Sequence, residues 1–508
     1  ARLGLARDAR PAAIARAAVA RFGLDTPAEM LGEWSLATWR ADGAVTLMLA
    51  AERRERLFVA RGRDRLAWSP DPHALARLAW VDRALDATGL LLQLGRAELR
   101  AALGWRGLLA GIDQLPAGGA LHVAPDGGET RRVATVLTPQ PRFTGSLADA
   151  LAETEALLRH ILRERLPHGL HPGLLLSGGL DSSLLAWLIA AEAPPGARRA
   201  ALCSAAPPGS GIADEVAFAS LVAARHGFAF AAVAPPETAD PYLPDPEDIA
   251  GAAGPFVSNR HCINTALRAE GERCGAVVLV NGTYGEMTLT ARLPGSGGAR
   301  ERLGALRRWL RGDAAADAAI DPFHVMLAPA RRAALPDAVA AAIAAAPSDH
   351  GAPAEPGLFG YRSSVERGVA LSTRQNARAA RMIYPFRDPR LLRLFAGMPE
   401  ALLRAAGADR GMGRRLARGH LPEVIRARRR GRPADPGHYR RLRAFAPAAR
   451  ARIAGYRAAG VGDWLDLDRL DTALARVAAA GPADVVEANQ VQMTALAAEF
   501  LLWFARAD

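Results

Sequence analysis

The sequence predicts an α/β fold, with a β-rich front half followed by a parallel sheet carrying helical additions. Three observations point there. The apolar run Gly173-Leu174-Leu175-Leu176 stops at Ser177-Gly178-Gly179, and a helical pattern (Leu184, Leu185, Trp187, Leu188, Ile189) follows, which reads as buried strand, tight loop and helix. Two more apolar runs, Arg199–Ser204 and Ala276–Val280, alternate with helical patterns, as in parallel sheets whose ligands sit at the strands' carboxyl ends. Ahead of residue 135, Trp34–Trp39, Val45–Leu49 and Arg56–Ala60 are short strand-like runs between charged or glycine turns.

At 508 residues, a prior of about 150 per domain gives two to four domains. Half the residues are hydrophobic, yet no apolar run reaches the ~18–20 residues of a membrane span, so none is expected. The residues up to Leu24 are rich in Ala and Arg and lack the apolar centre of a secretory signal. Cys203, Cys262 and Cys274 form neither a metal-ligand spacing nor a disulfide frame, so a reducing cytoplasm is expected. The net charge of +12 comes almost wholly from arginine. It fits solvated arginines or a site for anionic ligands and acidic peptides. No basic stripe interleaved with aromatics supports nucleic-acid binding.

In chain order, Gly111–Gly119 is turn-rich and Ala120–Ala124 is another strand. A linker around Pro139–Gly145 precedes a helix capped by Ser146, with Leu147, Leu151, Leu157, Leu158, Ile161 and Leu162 at helical spacing. Asp214 and Glu215 open a helix containing Val216, Phe218, Ala219, Leu221 and Val222, where their charge suits the N-terminus. Residues 296–355 read as a helical insertion near the site's mouth, with one helix through Leu303, Leu306, Trp309 and Leu310 and another over Asp337–Ala346. Substrate recognition and plain scaffold are both open roles for it.

The loop at 177–183 has glycines for close backbone approach, three serines as donors, and a helix N-terminus behind it. That combination suits an anion such as a nucleotide's pyrophosphate. The Gly-Lys-Ser/Thr ending of a Walker A loop is missing, which excludes that class of γ-phosphate chemistry. Ser177-Gly178-Gly179-Leu180-Asp181-Ser182-Ser183 resembles the PP-loop of ATP pyrophosphatases, which split ATP between its α and β phosphates and adenylate a substrate. By that resemblance Leu176, Ser177, Gly178, Gly179, Leu180, Ser182 and Ser183 form the nucleotide loop, and Asp181 binds Mg2+.

The front half, with Gly32-Glu33-Trp34, the Leu57–Asp64 segment and the Leu-Pro-Ala-Gly turn, resembles the amidotransferase domain of asparagine synthetases. That domain needs an N-terminal cysteine, and no cysteine precedes Cys203; the chain shown begins at Ala1. The resemblance therefore implies a degenerate domain that releases no ammonia. It further implies that the main chain at Cys203, Ser204 and Ala205 contacts adenine. In Asn281-Gly282-Thr283-Tyr284-Gly285-Glu286, Gly282 aligns with the synthetases' first loop glycine. Glu286 then stands near their Mg2+-binding aspartate, so Asp181 and Glu286 become the metal's carboxylates. Tyr384-Pro385-Phe386-Arg387-Asp388 and the Leu, Gly and Arg residues after it (Leu391, Gly407, Arg410, Arg414) match a second synthetase signature. There Asp388 is structural, tying the helical part to the phosphate loop, and Arg381 stands where those enzymes carry an acid. Ile425–Asp435 occupies the place of their transition-state lysine, aligned here with Arg430, or Arg429 one register away.

The Arg-Arg-Gly-x-x-Ala-Asp form of that segment resembles most the lasso peptide cyclases. The implied architecture is an N-terminal amidotransferase-like (Ntn-type) sandwich at 1–135 and an asparagine synthetase-like ATP-pyrophosphatase domain at 146–508. The implied reaction is ATP- and Mg2+-dependent macrolactam closure in a precursor peptide. An Asp or Glu side chain is adenylated and the N-terminal amine attacks, with Asp181, Glu286 and Arg430 as catalytic residues. A leader-binding protein and a leader peptidase are the implied partners. Competing readings are a β-lactam-synthetase-like or asparagine synthetase-like enzyme, a tRNA-modifying PP-loop enzyme, and a non-catalytic peptide-binding relic.

Overall fold

The computed structural model describes residues 10–51, 56–96, 99–100, 102–134, 140–166, 171–194, 196–251, 254–255, 258–293, 321–345, 381–407, 409–428, 431 and 434–506. In the front half β1 (Ser35–Trp39), β2 (Val45–Leu49), β3 (Phe58–Arg61), β4 (Leu66–Ser69), β5 (Ile112–Gln114), β6 (Gly119–Val123) and β7 (Glu129–Val133) form two antiparallel sheets. Their orders are β1-β2-β6-β7 and β4-β3-β5. Leu47, Leu49, Val59, Leu115 and Leu121 pack in one cluster between them. Phe58 and Ala60 face the other way, onto Leu75, Val81 and Leu109, as the two-residue period of a strand dictates. The passage expected to be only turns holds β5, because Ile112 completes that second cluster while Gln114 and Asp113 pair with Phe58 and Val59.

Helix α1 (Ala87–Leu94), capped by Asp86, leaves this half and buries Leu90, Leu91, Leu92 and Leu94 in a core built mostly of later residues. Phe323, Leu442, Tyr456, Leu470, Val491 and Phe500 share that core. Backbone bonds fasten the junction: His324 N–H donates to Leu94 O, and Arg96 N–H to Pro322 O. Front and back halves thus solvate one another's apolar faces.

In the back half α2 (Leu147–Arg165) opens with a capping box between Ser146 and Asp149. β8 (Pro172–Leu175), α3 (Leu180–Glu192), β9 (Ala200–Ser204), α4 (Val216–Arg225), β10 (Ala229–Val233), α5 (His261–Arg273), β11 (Val278–Asn281) and β12 (Arg381–Ile383) follow. All five strands are parallel, in the order β10-β9-β8-β11-β12. Leu174, Ala201, Cys203 and Val280 face α2 and α3, while Leu202 and Leu279 face Ile263 and Leu267 of α5. Strand order reverses between β8 and β11, the switch point at which such sheets open a crevice for ligands. β10, α5 and β12 were not evident as elements in the sequence. The helix expected at Asp337–Ala346 is present over Asp337–Ala345, while the one through Leu303 and Trp309 lies outside the described residues. No helix among the described residues is long and apolar enough to cross a membrane.

Asp388 is structural, but its partners differ from expectation. It caps α6 (Pro389–Gly397), accepts from Arg390, and pairs with Arg165 at 3.1 Å at the end of α2, a link to that helix rather than to the phosphate loop. Burial opposes its charge, yet the hydrogen bonds and charge of Arg390, with Arg165, hold its carboxyl below the usual range. Such a group stabilises the fold above the unfolded-state value near 4, and the contribution is lost as pH falls through the folded value. Asp388→Ala is expected to cost about 3 kcal/mol at neutral pH by leaving the two arginines without it. The deficit should shrink in urea titrations below pH 4.

Candidate active site

The loop between β8 and α3 is held by its own serines. Ser177 N–H donates to Ser182 Oγ at 3.2 Å, and the two hydroxyls lie 3.1 Å apart. Gly178 has φ +65°, and a Cβ there would press on Phe218 and Ala219 of α4, so the position needs glycine twice over. α3 starts after Gly179 with no side-chain cap, leaving the first-turn N–H groups and the positive helix end facing the loop.

Asp181 sits in that first turn. Its Oδ1 accepts the Thr290 hydroxyl. A Cβ at Gly285 would overlap the same oxygen, and one at Gly282 would strike the Ser182 backbone. The Asn281–Thr290 loop therefore closes directly over the start of α3, through two positions that carry no side chain. Burial pushes the Asp181 carboxyl up to about 6; the Thr290 bond and Arg410 counter this, and the charge of Glu286 adds to it. Glu286 itself is exposed on the short Gly285–Met287 turn. The two carboxylates expected to share a metal thus sense one another across the switch point.

Tyr284 holds the turn in a left-handed conformation, φ +80°. Its ring packs edge-on to Tyr384 at 5.5 Å, and the buried Arg387 guanidinium lies 5.9 Å from one ring centre and 5.1 Å from the other. The Tyr-Pro-Phe-Arg-Asp motif thereby braces the loop that bears Glu286.

The basic segment is anchored at both ends. Arg428 makes a two-pronged pair with Glu215 at the head of α4 and stacks 4.0 Å over Phe218, while its carbonyl accepts from Arg414. Asp435 pairs with Arg441, and a Cβ at Gly437 would press on Pro207, just past β9. Arg429 and Arg430 lie between these anchors and outside the described residues. Of the two acids expected at the head of α4, Asp214 does cap it, accepting from Val216 N–H at 3.1 Å, while Glu215 serves Arg428.

Ser177, Gly178, Gly179, Asp181, Ser182, Gly282 and Glu286 all gather at this edge. Leu176 and Leu180 point into the core and offer only backbone there. The Cys203 side chain is also in the core, where burial pushes its thiol up to about 12. The Ala205 N–H is spent on Val233 O, whereas Ser204 Oγ is buried without a protein partner among the described residues. Ser183 Oγ is likewise buried and unmet. These orphaned hydroxyls, and a carboxyl whose charge burial leaves under-compensated, fit a nucleotide with Mg2+. The metal would sit on Asp181 and Glu286, with phosphate and water oxygens completing its shell. Thr290 and Gly285 were given no role from sequence, and Arg410 only a place in the second signature. Thr290 ends the same loop motif, and its spacing alone carries no sign that it bonds Asp181.

A family model described as Asparagine synthase matches residues 153–283 and 374–505, together just over half of the chain. No curated protein matches it.

Two outcomes follow from the Asp181 pocket. With its carboxyl raised to about 6, the ligand-free fold gains stability from this group as pH falls from about 6 toward 4. Melting curves of wild type and Asp181→Asn over that window should converge at high pH least and lose this slope in the variant. Gly285→Ala should displace the carboxyl and lower turnover about 100-fold, read as AMP release.

Proposed function

We propose that this chain, which belongs to the asparagine synthase family and is an ATP-dependent amide-forming ligase, closes a macrolactam ring in a ribosomally made lasso precursor peptide. The observation that carries the finer reading is the arginine run Arg428–Arg430, whose first member is tethered through Glu215 beside the nucleotide loop. It replaces a single lysine with guanidinium groups able to contact phosphate oxygens in pairs. In this reading the attacking nitrogen is a substrate amine rather than glutamine-derived ammonia.

Residues 1–135 are then a degenerate amidotransferase-like (Ntn-type) sandwich, a reading supported by their two antiparallel sheets. Residues 146–508 are the synthetase domain. Bound ATP·Mg2+ supplies the adenylyl group that activates the peptide's Asp or Glu carboxylate. Asp181 and Glu286 hold the metal. The 177–183 loop and the α3 N-terminus hold pyrophosphate. Arg430, or Arg429, stabilises the charge that builds at the α-phosphorus. The peptide's N-terminal amine attacks the activated carbonyl, its proton is lost, and AMP leaves. A leader-binding protein and a leader peptidase supply the peptide, and the cytoplasm supplies the ATP.

The test is mass spectrometry of leaderless precursor peptide incubated with protein, ATP and Mg2+, alongside AMP detection. Loss of one water per AMP supports the cyclase. AMP with an unchanged peptide retains adenylation and overturns the peptide substrate. Cyclisation of a small β-amino acid would favour the β-lactam-type reading, and glutamine-dependent asparagine formation would sink both. Asp181→Ala should abolish turnover. Arg430→Ala should cut kcat by about 100- to 1,000-fold with little change in the KM for ATP, and Arg429→Ala by less; the reverse order would move the register.

A further inference from the structure

We propose that Thr290 is a positioning residue that makes Asp181 a one-oxygen metal ligand and thereby sets a preference of this site for Mg2+ over Ca2+. The inference rests on the ATP- and metal-dependent reading of the site. Its basis is a side chain to which the fold leaves no freedom. Thr290 is 1% exposed, and its hydroxyl donates to Asp181 Oδ1.

Each of its other groups is fixed as well. Thr290 N–H donates to Gly285 O at 2.9 Å, and Thr288 gives the same carbonyl its N–H at 2.9 Å and its hydroxyl at 3.3 Å. Three donors on one carbonyl fold Gly285–Thr290 into a closed turn. The Thr290 methyl faces α7 (Gly411–Leu416), where a Cβ at Gly413 would press on it. On either side, Leu289 O accepts from Gly413 N–H at 2.7 Å and Ala291 O from Arg410 N–H at 3.1 Å. With backbone and methyl held, the stiff χ1 of a β-branched residue leaves the hydroxyl on the carboxylate.

The two Asp181 oxygens are thereby made unequal. Oδ1 is enclosed: Thr290 donates to it, and the Gly285 backbone lies so close that a Cβ there would overlap it. Oδ2 meets no partner side chain among the described residues. A cation that reaches Asp181 therefore meets one oxygen. Mg2+ suits that arrangement, because it demands a near-ideal octahedron at about 2.0–2.1 Å. Ca2+ takes more oxygens at about 2.3–2.6 Å, often both from one carboxylate, and gains least from a site that offers one.

The test is calorimetric titration of the full chain with ATP in the presence of Mg2+ or of Ca2+, for wild type, Thr290→Val and Thr290→Ser. Thr290→Val keeps the wedge and removes the donor. Mg2+·ATP should then bind about 10-fold more weakly and Ca2+·ATP within about two-fold of wild type, so the selectivity falls about 10-fold. Thr290→Ser keeps the donor and should hold the selectivity within about two-fold of wild type. Should Thr290→Val not fold, Thr290→Ala carries the same expectation. A threonine that only packs the turn would weaken both metal complexes alike, so an unchanged selectivity in the variants lacking the hydroxyl overturns the assignment alone. Failure of the wild type to bind ATP with either metal overturns both it and the reading beneath it.

Discussion

The contact between Asp181 and the Gly285–Thr290 turn is the constraint around which the back half is arranged. A carboxyl held partly out of water is tolerated only with a donor on one oxygen and room for a cation. Thr290 is the donor, and the two glycines of the loop keep side chains out of the way. That close approach requires β11 to lie beside β8, the neighbour relation that makes the sheet's order reverse. The same turn must then be braced from outside. Arg387 and Tyr384 do this from one side, and the Arg410–Gly413 backbone from the other.

The front half has a physical reason to persist whatever its chemistry. Leu90, Leu91, Leu92 and Leu94 are interior residues of a core whose other members, apart from Leu99 and Leu108, come from positions beyond 240. Removing α1 would expose that core and leave Phe323, Leu470 and Phe500 without their neighbours. The connection near Phe143 is pinned as well: Phe143 N–H donates to Gly397 O at the end of α6. A segment of this kind is held in place by the hydrophobic effect.

Much of the fold was legible because its signals are local. The capping box at Ser146, the apolar run into Ser177 and the short apolar run of β2 each state their conformation within a few residues. The elements that escaped had weak local signals. β10 is alanine-rich with a half-buried surface, β12 is three residues long, and β5 is short and sits among turn residues. Each exists because a longer neighbouring strand offers hydrogen bonds, which no local pattern records. Glu215 illustrates the same limit in the site: its sequence context suits a helix N-terminus, and a partner 213 residues away claims its carboxylate.

By itself the sequence carried the strand, loop and helix around 173–189 and the α/β class, whose patterns are local, and through its motifs the resemblance to the family. It also named the acids, Asp181 and Glu286, as a pair. Only the tertiary structure decided that Asp388 ties α6 to α2, that Cys203 is sealed in the core, and that Thr290 completes the aspartate's shell. The reason is the same in each case. A side chain's role is set by which distant partner meets its charge or its hydrogen bonds, and folding alone brings those partners within reach.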